Sequence, residues 1–288
     1  MATTNPSNRL MLPVTEFQAA DGIIGGDAVT AYKEDGVVCL RNAFAQRWLD
    51  MVEQGIAQAL GGASENLDVV KKSGDTGQFS VSSQAWRRVK PFRDFIFDSP
   101  MADLAWPFLE SKYMSLFYDF LLIKEANSSN AATPWHQDHA YYPLRGSRAI
   151  NCWMALDPIP QTTALRFFRG SHKAAILYRA VNFDNENKDY LHVRKERPGK
   201  PDIDADGNAE ILSTAMNPGD MLIWNSYTFH SAPGNTLDRR RAAFSVNWLG
   251  DDIIYDEAPA LETYLDPDLK TGDRVISDKF PLVRGSAG

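Results

Sequence analysis

The sequence predicts a mainly β fold with flanking helices, a double-stranded β-helix of the cupin-like jelly-roll kind. Short apolar runs bounded by turn residues recur through the second half, at residues 113–124, 150–156, 221–224 and 242–248. An amphipathic helix precedes them. No linker divides the 288 residues, and barrels with helical extensions reach ~250 residues as one unit. The chain 1–288 therefore reads as a single domain. Residues up to about 110 form a largely helical part that braces the barrel, and residues from about 111 to 250 form the barrel core.

In chain order, Phe44, Trp48, Val52, Ile56 and Leu60 recur every four residues, which predicts a helix ending near Gly61 and Gly62 on the outside of the barrel. From Tyr113 to Lys124 the chain is rich in Phe, Tyr, Leu and Ile and has no helix caps, so it reads as a long buried strand. Ile150 to Leu156 reads the same way. The interval 182–208 is polar, contains Pro198 and Pro201, and is read as a lid loop over the pocket. Pro218, Gly219 and Asp220 form a turn feeding the strand Met221–Trp224, with His230 at its far end. Arg241 opens a last alternating strand. Arg241, Ala243, Ser245 and Asn247 share one face, and Ala242, Phe244, Val246 and Trp248 share the other.

Composition excludes several function classes. A formal net charge of −7 argues against a nucleic-acid partner, because neutralising phosphates needs a dense cationic surface. The basic clusters are local: Arg87, Arg88, Lys90 and Arg93; Arg194, Lys195, Arg197 and Lys200; and Arg239 to Arg241. They read as solvated faces, any one of which could hold an anionic group on a substrate. No apolar run approaches the ~20 residues that cross a bilayer, and the N-terminus lacks a basic region followed by an apolar stretch. A cytoplasmic setting without a membrane partner is expected. Cys39 and Cys152 sit in apolar runs and read as reduced core residues. A homodimer is compatible with the sequence, which does not fix the oligomeric state.

The chemistry concentrates in Thr133, Pro134, Trp135, His136, Gln137 and Asp138. On a strand, side chains at i and i+2 point to one face, so His136 and Asp138 would aim an imidazole and a carboxylate at a common point. With His230 they make two histidines and one carboxylate, the facial set of non-haem Fe(II) oxygenases, which leaves coordination positions open. His139 would point to the opposite face, His172 sits in a Gly-Ser-His turn and His192 in the polar loop, so none is expected to be a ligand. Arg241 carries the planar fork that pairs bidentately with a carboxylate. The bland alternatives are a chance His-x-Asp pair and a solvated basic turn. Trp86, Tyr141, Tyr142 and Phe168 are aromatics that could line an apolar substrate pocket, while Trp135 reads as packing.

Together these residues resemble the phytanoyl-CoA dioxygenase family of Fe(II)/2-oxoglutarate-dependent oxygenases. The resemblance runs from a helix and the strand around Asp35, Gly36, Val37 and Val38 through Trp86, the Lys124 strand, Trp135 to Asp138 and Tyr141. It continues in Trp153 to Asp157, in Gly170, Ser171 and His172, in the Pro-Gly-Asp segment, in His230 to Asn235 and in Arg241. It implies that His136, Asp138 and His230 hold the iron and that Arg241 anchors the C5 carboxylate of 2-oxoglutarate. Trp153, Gln137 and Phe120 match positions that line the cosubstrate in relatives. Ser245 joins them from its register with Arg241.

The implied reaction uses O2, converts 2-oxoglutarate to succinate and carbon dioxide, and hydroxylates a small-molecule substrate. Desaturation, epoxidation or rearrangement could follow from the same chemistry. Two departures stand out. Thr162, Thr163, Ala164 and Leu165 replace an Asn-Gly pattern, and Ala232 stands where relatives often carry a serine. The second removes a hydroxyl from the cosubstrate site that Ser231 or Ser245 could restore. A halogenating relative would lack the metal carboxylate, so Asp138 argues against halogenation. A metal-binding cupin-like barrel that does not use 2-oxoglutarate and a non-catalytic ligand-binding relic are the rival readings.

Overall fold

The computed structural model describes residues 11–19, 24–64, 67–70, 77–183 and 194–286. Strands β1 (Met11–Leu12) and β2 (Glu16–Gln18) precede helix α1 (Gly26–Asp35), β3 (Val37–Arg41) and α2 (Gln46–Gln58), which runs on into a π-helical turn at Ala59–Ala63. Then come β4 (Leu67–Val70), β5 (Phe79–Ser83), α3 (Lys90–Asp98) and α4 (Met101–Leu109). The barrel region holds β6 (Tyr113–Lys124), β7 (Thr133–His136), β8 (Leu144–Arg145), β9 (Ala149–Ala155), β10 (Arg166–Phe168) and β11 (Ile211–Leu212). It closes with β12 (Met221–Asn225), β13 (His230–Ala232), β14 (Arg241–Leu249), β15 (Ile254–Tyr255) and β16 (Leu282–Gly285).

Two sheets face each other. The larger runs β2-β3-β12-β9-β14-β6-β5-β4 with β16 also on β6, the smaller runs β1-β11-β10-β13-β7, and β8 pairs β15 separately. Period-two alternation along the larger sheet decides which side each residue serves. On β14, Ala242, Phe244, Val246 and Trp248 join the core formed with the helices. Ala243 faces the other way, toward Trp153, Leu222, Trp224 and, from the smaller-sheet side, Phe167 and Leu212. The expected helix is α2, whose Leu49, Val52 and Ile56 are buried in the outer core. Phe244 is fully buried, stacked on Phe92 at 4.6 Å and edge-on to Phe95 at 5.6 Å.

Two turns need glycine. Gly36 ends α1 at φ 83°, donates its N–H to the Tyr32 carbonyl at 2.8 Å, and has no room for a Cβ, which would meet His172 Nδ1 and Thr228 Oγ1 at 2.6 Å. His172 in turn contacts the Lys33 carbonyl at 3.1 Å, so it serves the fold. Gly219 takes φ 87° against the Phe44 carbonyl, and the following Asp220 accepts hydrogen bonds from the backbone N–H groups of Asn42 and Asn217.

Several expectations need revision. The first 110 residues contribute strands as well as helices: β3 pairs with β12, and β5 pairs with β6 over Phe79–Ser83. In the third basic cluster only Arg239 is a solvated residue. Arg240 is paired with Glu53 of α2 and with Asp157 at 2.9 Å, tying the helical layer to the barrel, and Arg241 is buried. In the second cluster, Arg194 pairs with Asp256 at 2.6 Å and Arg197 donates to the Ala140 carbonyl at 3.0 Å. Of the expected lid, residues 184–193, and with them His192, lie outside the described residues. Cys39 and Cys152 are free and buried, and burial pushes both thiols up. No described helix is long and apolar enough to cross a membrane.

Replacing Phe244 with Ala should lower the unfolding free energy by about 3–5 kcal/mol in chemical denaturation, because the ring is fully buried between the sheet and α3. A loss under about 1 kcal/mol would show that the helical layer is not packed on the sheet as described.

Candidate active site

Antiparallel pairing sets His230 of β13 directly opposite His136 of β7, and opposed residues in such a pair project to the same side. Their rings lie 4.1 Å apart between centroids. His136 Nδ1 lies 2.8 Å from the Pro134 carbonyl, and His230 Nδ1 lies 3.1 Å from the Thr228 carbonyl. A carbonyl only accepts, so each Nδ1 carries the proton and each Nε2 keeps a free lone pair. Burial lowers the pKa of His230 to about 4, which keeps that ring neutral.

Asp138 completes the set by a different route from the one the sequence suggested. The strand ends at His136, and Asp138 opens a short 3-10 turn, Asp138–Tyr141. Gln137 makes that turn. Its amide donates to the Ile176 and Tyr227 carbonyls, both at 2.9 Å, and accepts from the Tyr178 N–H at 3.0 Å. Asp138 Oδ1 then lies 3.4 Å from His136 Nε2 and 3.5 Å from His230 Nε2. All three donor atoms fall within 4.8 Å of one another. Cis ligands at metal distances of about 2.1 Å would be about 3 Å apart, so a divalent cation fits with little adjustment. The other oxygen, Oδ2, accepts from Asn151 Nδ2 at 3.1 Å and from the Trp224 indole at 3.0 Å. Burial alone would push the carboxyl up, but the two imidazoles and Asn151 outweigh it and hold Asp138 well below the usual carboxylate range. His139 turns away and contacts Ser226 Oγ at 3.0 Å.

The triad lines a cavity of about 700 Å³ between the two sheets. At one end stand Arg241 and Lys124, paired across β14 and β6. They are only 5% and 3% exposed. The Arg241 guanidinium lies 5.7 Å from the Trp153 ring, and its Nε has no hydrogen-bond partner. No carboxylate among the described residues lies within ion-pair distance of it. Burial lowers its pKa to about 10, so it stays charged at neutral pH. Burial, and then the Arg241 charge, hold the Lys124 ammonium well below its usual range. Its Nζ donates to the Pro233 carbonyl at 3.1 Å. A buried, unpaired cation is costly, and a carboxylate delivered to this end would relieve the cost.

The residues named from the sequence therefore divide. Arg241, Trp153, Phe120, Ser245 and Tyr141 line the cavity with the triad. Gln137 is engaged in backbone bonds behind it. Phe168 alternates away from the buried Phe167 and packs with Trp135 and Phe229, and Trp86 packs in the outer core with its indole on Gln84. Ser245 faces inward, but its hydroxyl donates to Asn151 Oδ1. Its role is thus in a relay through Asn151 to Asp138. Ser231 has a buried hydroxyl without a partner and lines the cavity, so it is the better substitute for the serine that Ala232 lacks. Lys124 was not singled out from the sequence as a site residue, although its register opposite Arg241 was the available signal.

The phytanoyl-CoA dioxygenase (PhyH) family matches residues 32–243. No curated protein matches the sequence. Among solved structures, the chain is similar to the non-haem alpha-ketoglutarate-dependent carbocyclase SnoK from nogalamycin biosynthesis, with TM-score 0.72 and 21% identity over 94% of this chain and 99% of that one. The epimerase SnoN, solved with Fe3+, alpha-ketoglutarate and nogalamycin RO, gives TM-score 0.69 and 20% identity over 90% and 98% of the two chains. EctD from S. alaskensis gives 0.65 and 14% over 93% and 91%. At these identities the likeness establishes the fold, a double-stranded β-helix with flanking helices.

Replacing Trp224 with Phe removes one of the two donors on Asp138 Oδ2 and keeps a ring in place. The affinity for Fe(II), measured anaerobically by competition with a chelator, should fall 10- to 100-fold. An unchanged affinity would mean that the indole does not orient the metal carboxylate.

Proposed function

This chain belongs to the phytanoyl-CoA dioxygenase family, and on that premise we propose that it is an Fe(II)- and 2-oxoglutarate-dependent dioxygenase acting on a small molecule. The observation that carries the reading is the pairing, in one cavity, of a buried His-Asp-His triad with a buried arginine that has no anionic partner. The first suits a metal with open positions. The second suits the far carboxylate of a dicarboxylic cosubstrate.

In this reading His136 Nε2, His230 Nε2 and Asp138 Oδ1 hold Fe(II), while the Nδ1 bonds to backbone carbonyls fix each imidazole. Arg241 and Lys124 bind the C5 carboxylate of 2-oxoglutarate. Trp153 and Phe120 wall its chain, and the Ser231 hydroxyl is placed to contact it. When bound, iron with 2-oxoglutarate and O2 supplies the oxidising power, coupling oxidation of a substrate C–H bond to formation of succinate and carbon dioxide. The protein's part is to position the target bond and to shield the reacting centre from water. Hydroxylation is the simplest outcome. That two proteins of similar structure are a carbocyclase and an epimerase supports keeping rearrangement and other outcomes open for this fold. A cupin-like barrel that dispenses with 2-oxoglutarate would leave Arg241 without a purpose.

Anaerobic titration of the Fe(II) protein with 2-oxoglutarate should develop the weak visible charge-transfer band of the chelate. In Arg241→Ala the dissociation constant should rise 10- to 100-fold, matching the about 1.5–3 kcal/mol of a charge-assisted hydrogen-bonded pair. His136→Ala and Asp138→Ala should abolish turnover with the circular dichroism spectrum unchanged. Absence of the band from iron-loaded wild type would refute use of 2-oxoglutarate, and turnover surviving in either triad variant would refute the ligand assignment.

A further inference from the structure

The sheet register gives the cavity a direction. Along β6, Lys124, Leu122, Phe120 and Tyr118 face inward in turn, opposite Arg241, Ala243, Ser245 and Asn247 of β14. Six residues of strand separate Lys124 from Tyr118, about 20 Å. Both cations therefore stand at one end. The metal carboxylate lies toward the other, held by Asn151, which is paired with Asn247.

Around the triad and beyond it the walls are aromatic and uncharged. Tyr264 lies 5.0 Å from Tyr118 and 5.1 Å from Tyr142 between ring centroids. Phe183 lies 4.8 Å from the His136 ring and 5.8 Å from Tyr141. Tyr118 and Tyr142 share a hydroxyl contact of 2.8 Å, and Tyr142 donates to Asn247 Oδ1 at 3.3 Å. Both phenols stay neutral, since burial raises them well above their usual value. Apart from the triad, Lys124 and Arg241, Asp68 is the one charged side chain on the wall among the described residues, and it is exposed. On this wall no described cation remains to receive a thioester's phosphate or a substrate carboxylate.

Part of this wall comes from outside the family match, which ends at residue 243. Leu261, Thr263 and Tyr264 reach in from the segment after β15. Thr263 Oγ1 is fastened to Ser83 Oγ at 3.0 Å, and Tyr264 stacks on Phe117 at 5.5 Å.

We infer that the cavity beyond the triad takes an uncharged, ring-bearing small molecule with a hydroxyl or keto group, rather than a coenzyme A thioester or other anion, and that the segment Leu261–Tyr264 selects it. The inference rests on the dioxygenase reading only in assigning the Arg241 end to 2-oxoglutarate. Flat rings suit walls of edge-on and tilted aromatics, and neutral hydroxyls reward a neutral polar handle.

Three probes separate the possibilities: 2-naphthol, its anionic counterpart 2-naphthoate, and hexanoyl-CoA. Each is titrated by calorimetry into the anaerobic Fe(II)·2-oxoglutarate protein. We expect 2-naphthol to bind at least tenfold more tightly than either anion. Tyr264→Ala and Leu261→Ala should each weaken it at least fivefold, with the charge-transfer band and the 2-oxoglutarate affinity unchanged. Leu261→Ala keeps the test open if loss of the Tyr264 ring unfolds the segment. Equal or tighter binding of either anion, no binding of any probe to band-positive protein, or unchanged affinity in both variants overturns the inference. A missing band in wild type is a separate failure, of the dioxygenase reading, and 2-naphthol titrated into the metal-free protein still tests the pocket.

Discussion

The opposition of His136 and His230 across two short strands is the constraint on which the site depends. Ninety-four residues of sequence separate them, yet one rung of an antiparallel ladder makes them neighbours. The chain just ahead of each ring supplies the carbonyls of Pro134 and Thr228, two positions before it, that fix both tautomers. Geometry and protonation thus have one origin. Because each imidazole is held by its own backbone, the orientation of both rings is fixed by the fold rather than by the ion they would hold.

The larger sheet supports this by keeping its two faces chemically distinct. One side of β14 meets the helices with Phe244, Val246 and Trp248, and the other presents Arg241, Ala243 and Ser245 to the cavity. A slip of one residue would exchange them. The helical layer therefore does more than cover apolar surface, since its packing, with the Arg240 bridge between Glu53 and Asp157, pins the register that aims Arg241 inward.

Where the sequence was legible, a period made it so. Alternation from Arg241 to Trp248 predicted both faces of β14 correctly, and the four-residue spacing found α2. The proximity of His136 and Asp138 was also readable, though for another reason than the strand rule: the chain leaves the ladder after His136, and three bonds from Gln137 turn Asp138 inward. Gln137, Trp86 and Phe168 could not be placed from the sequence because side-chain direction outside regular strands, or in an unassigned strand, follows from tertiary partners. Lys124 and the Leu261–Tyr264 segment were missed because their meaning lies in what they face. A lysine closing an apolar strand reads as an end signal until Arg241 is known to be its neighbour, and Tyr264 comes from a stretch with no period at all.

Charge explains how such a cavity is tolerated and what it will accept. Burying Arg241 beside Lys124 with no counter-ion is unfavourable in a protein interior, and burial already draws Lys124 toward neutrality. Loading relieves most of the imbalance. Two positive charges on Fe(II) and one each on Arg241 and Lys124 meet one negative charge on Asp138 and two on 2-oxoglutarate, so with neutral histidines the single positive charge left over stays at the Arg241 and Lys124 end. Beyond the triad no described cation lines the cavity, and an ion entering beside Tyr118 and Tyr142 would face desolvation without a partner. Selectivity for a neutral ring system follows from the confinement of both cations to the cosubstrate's end of the cavity.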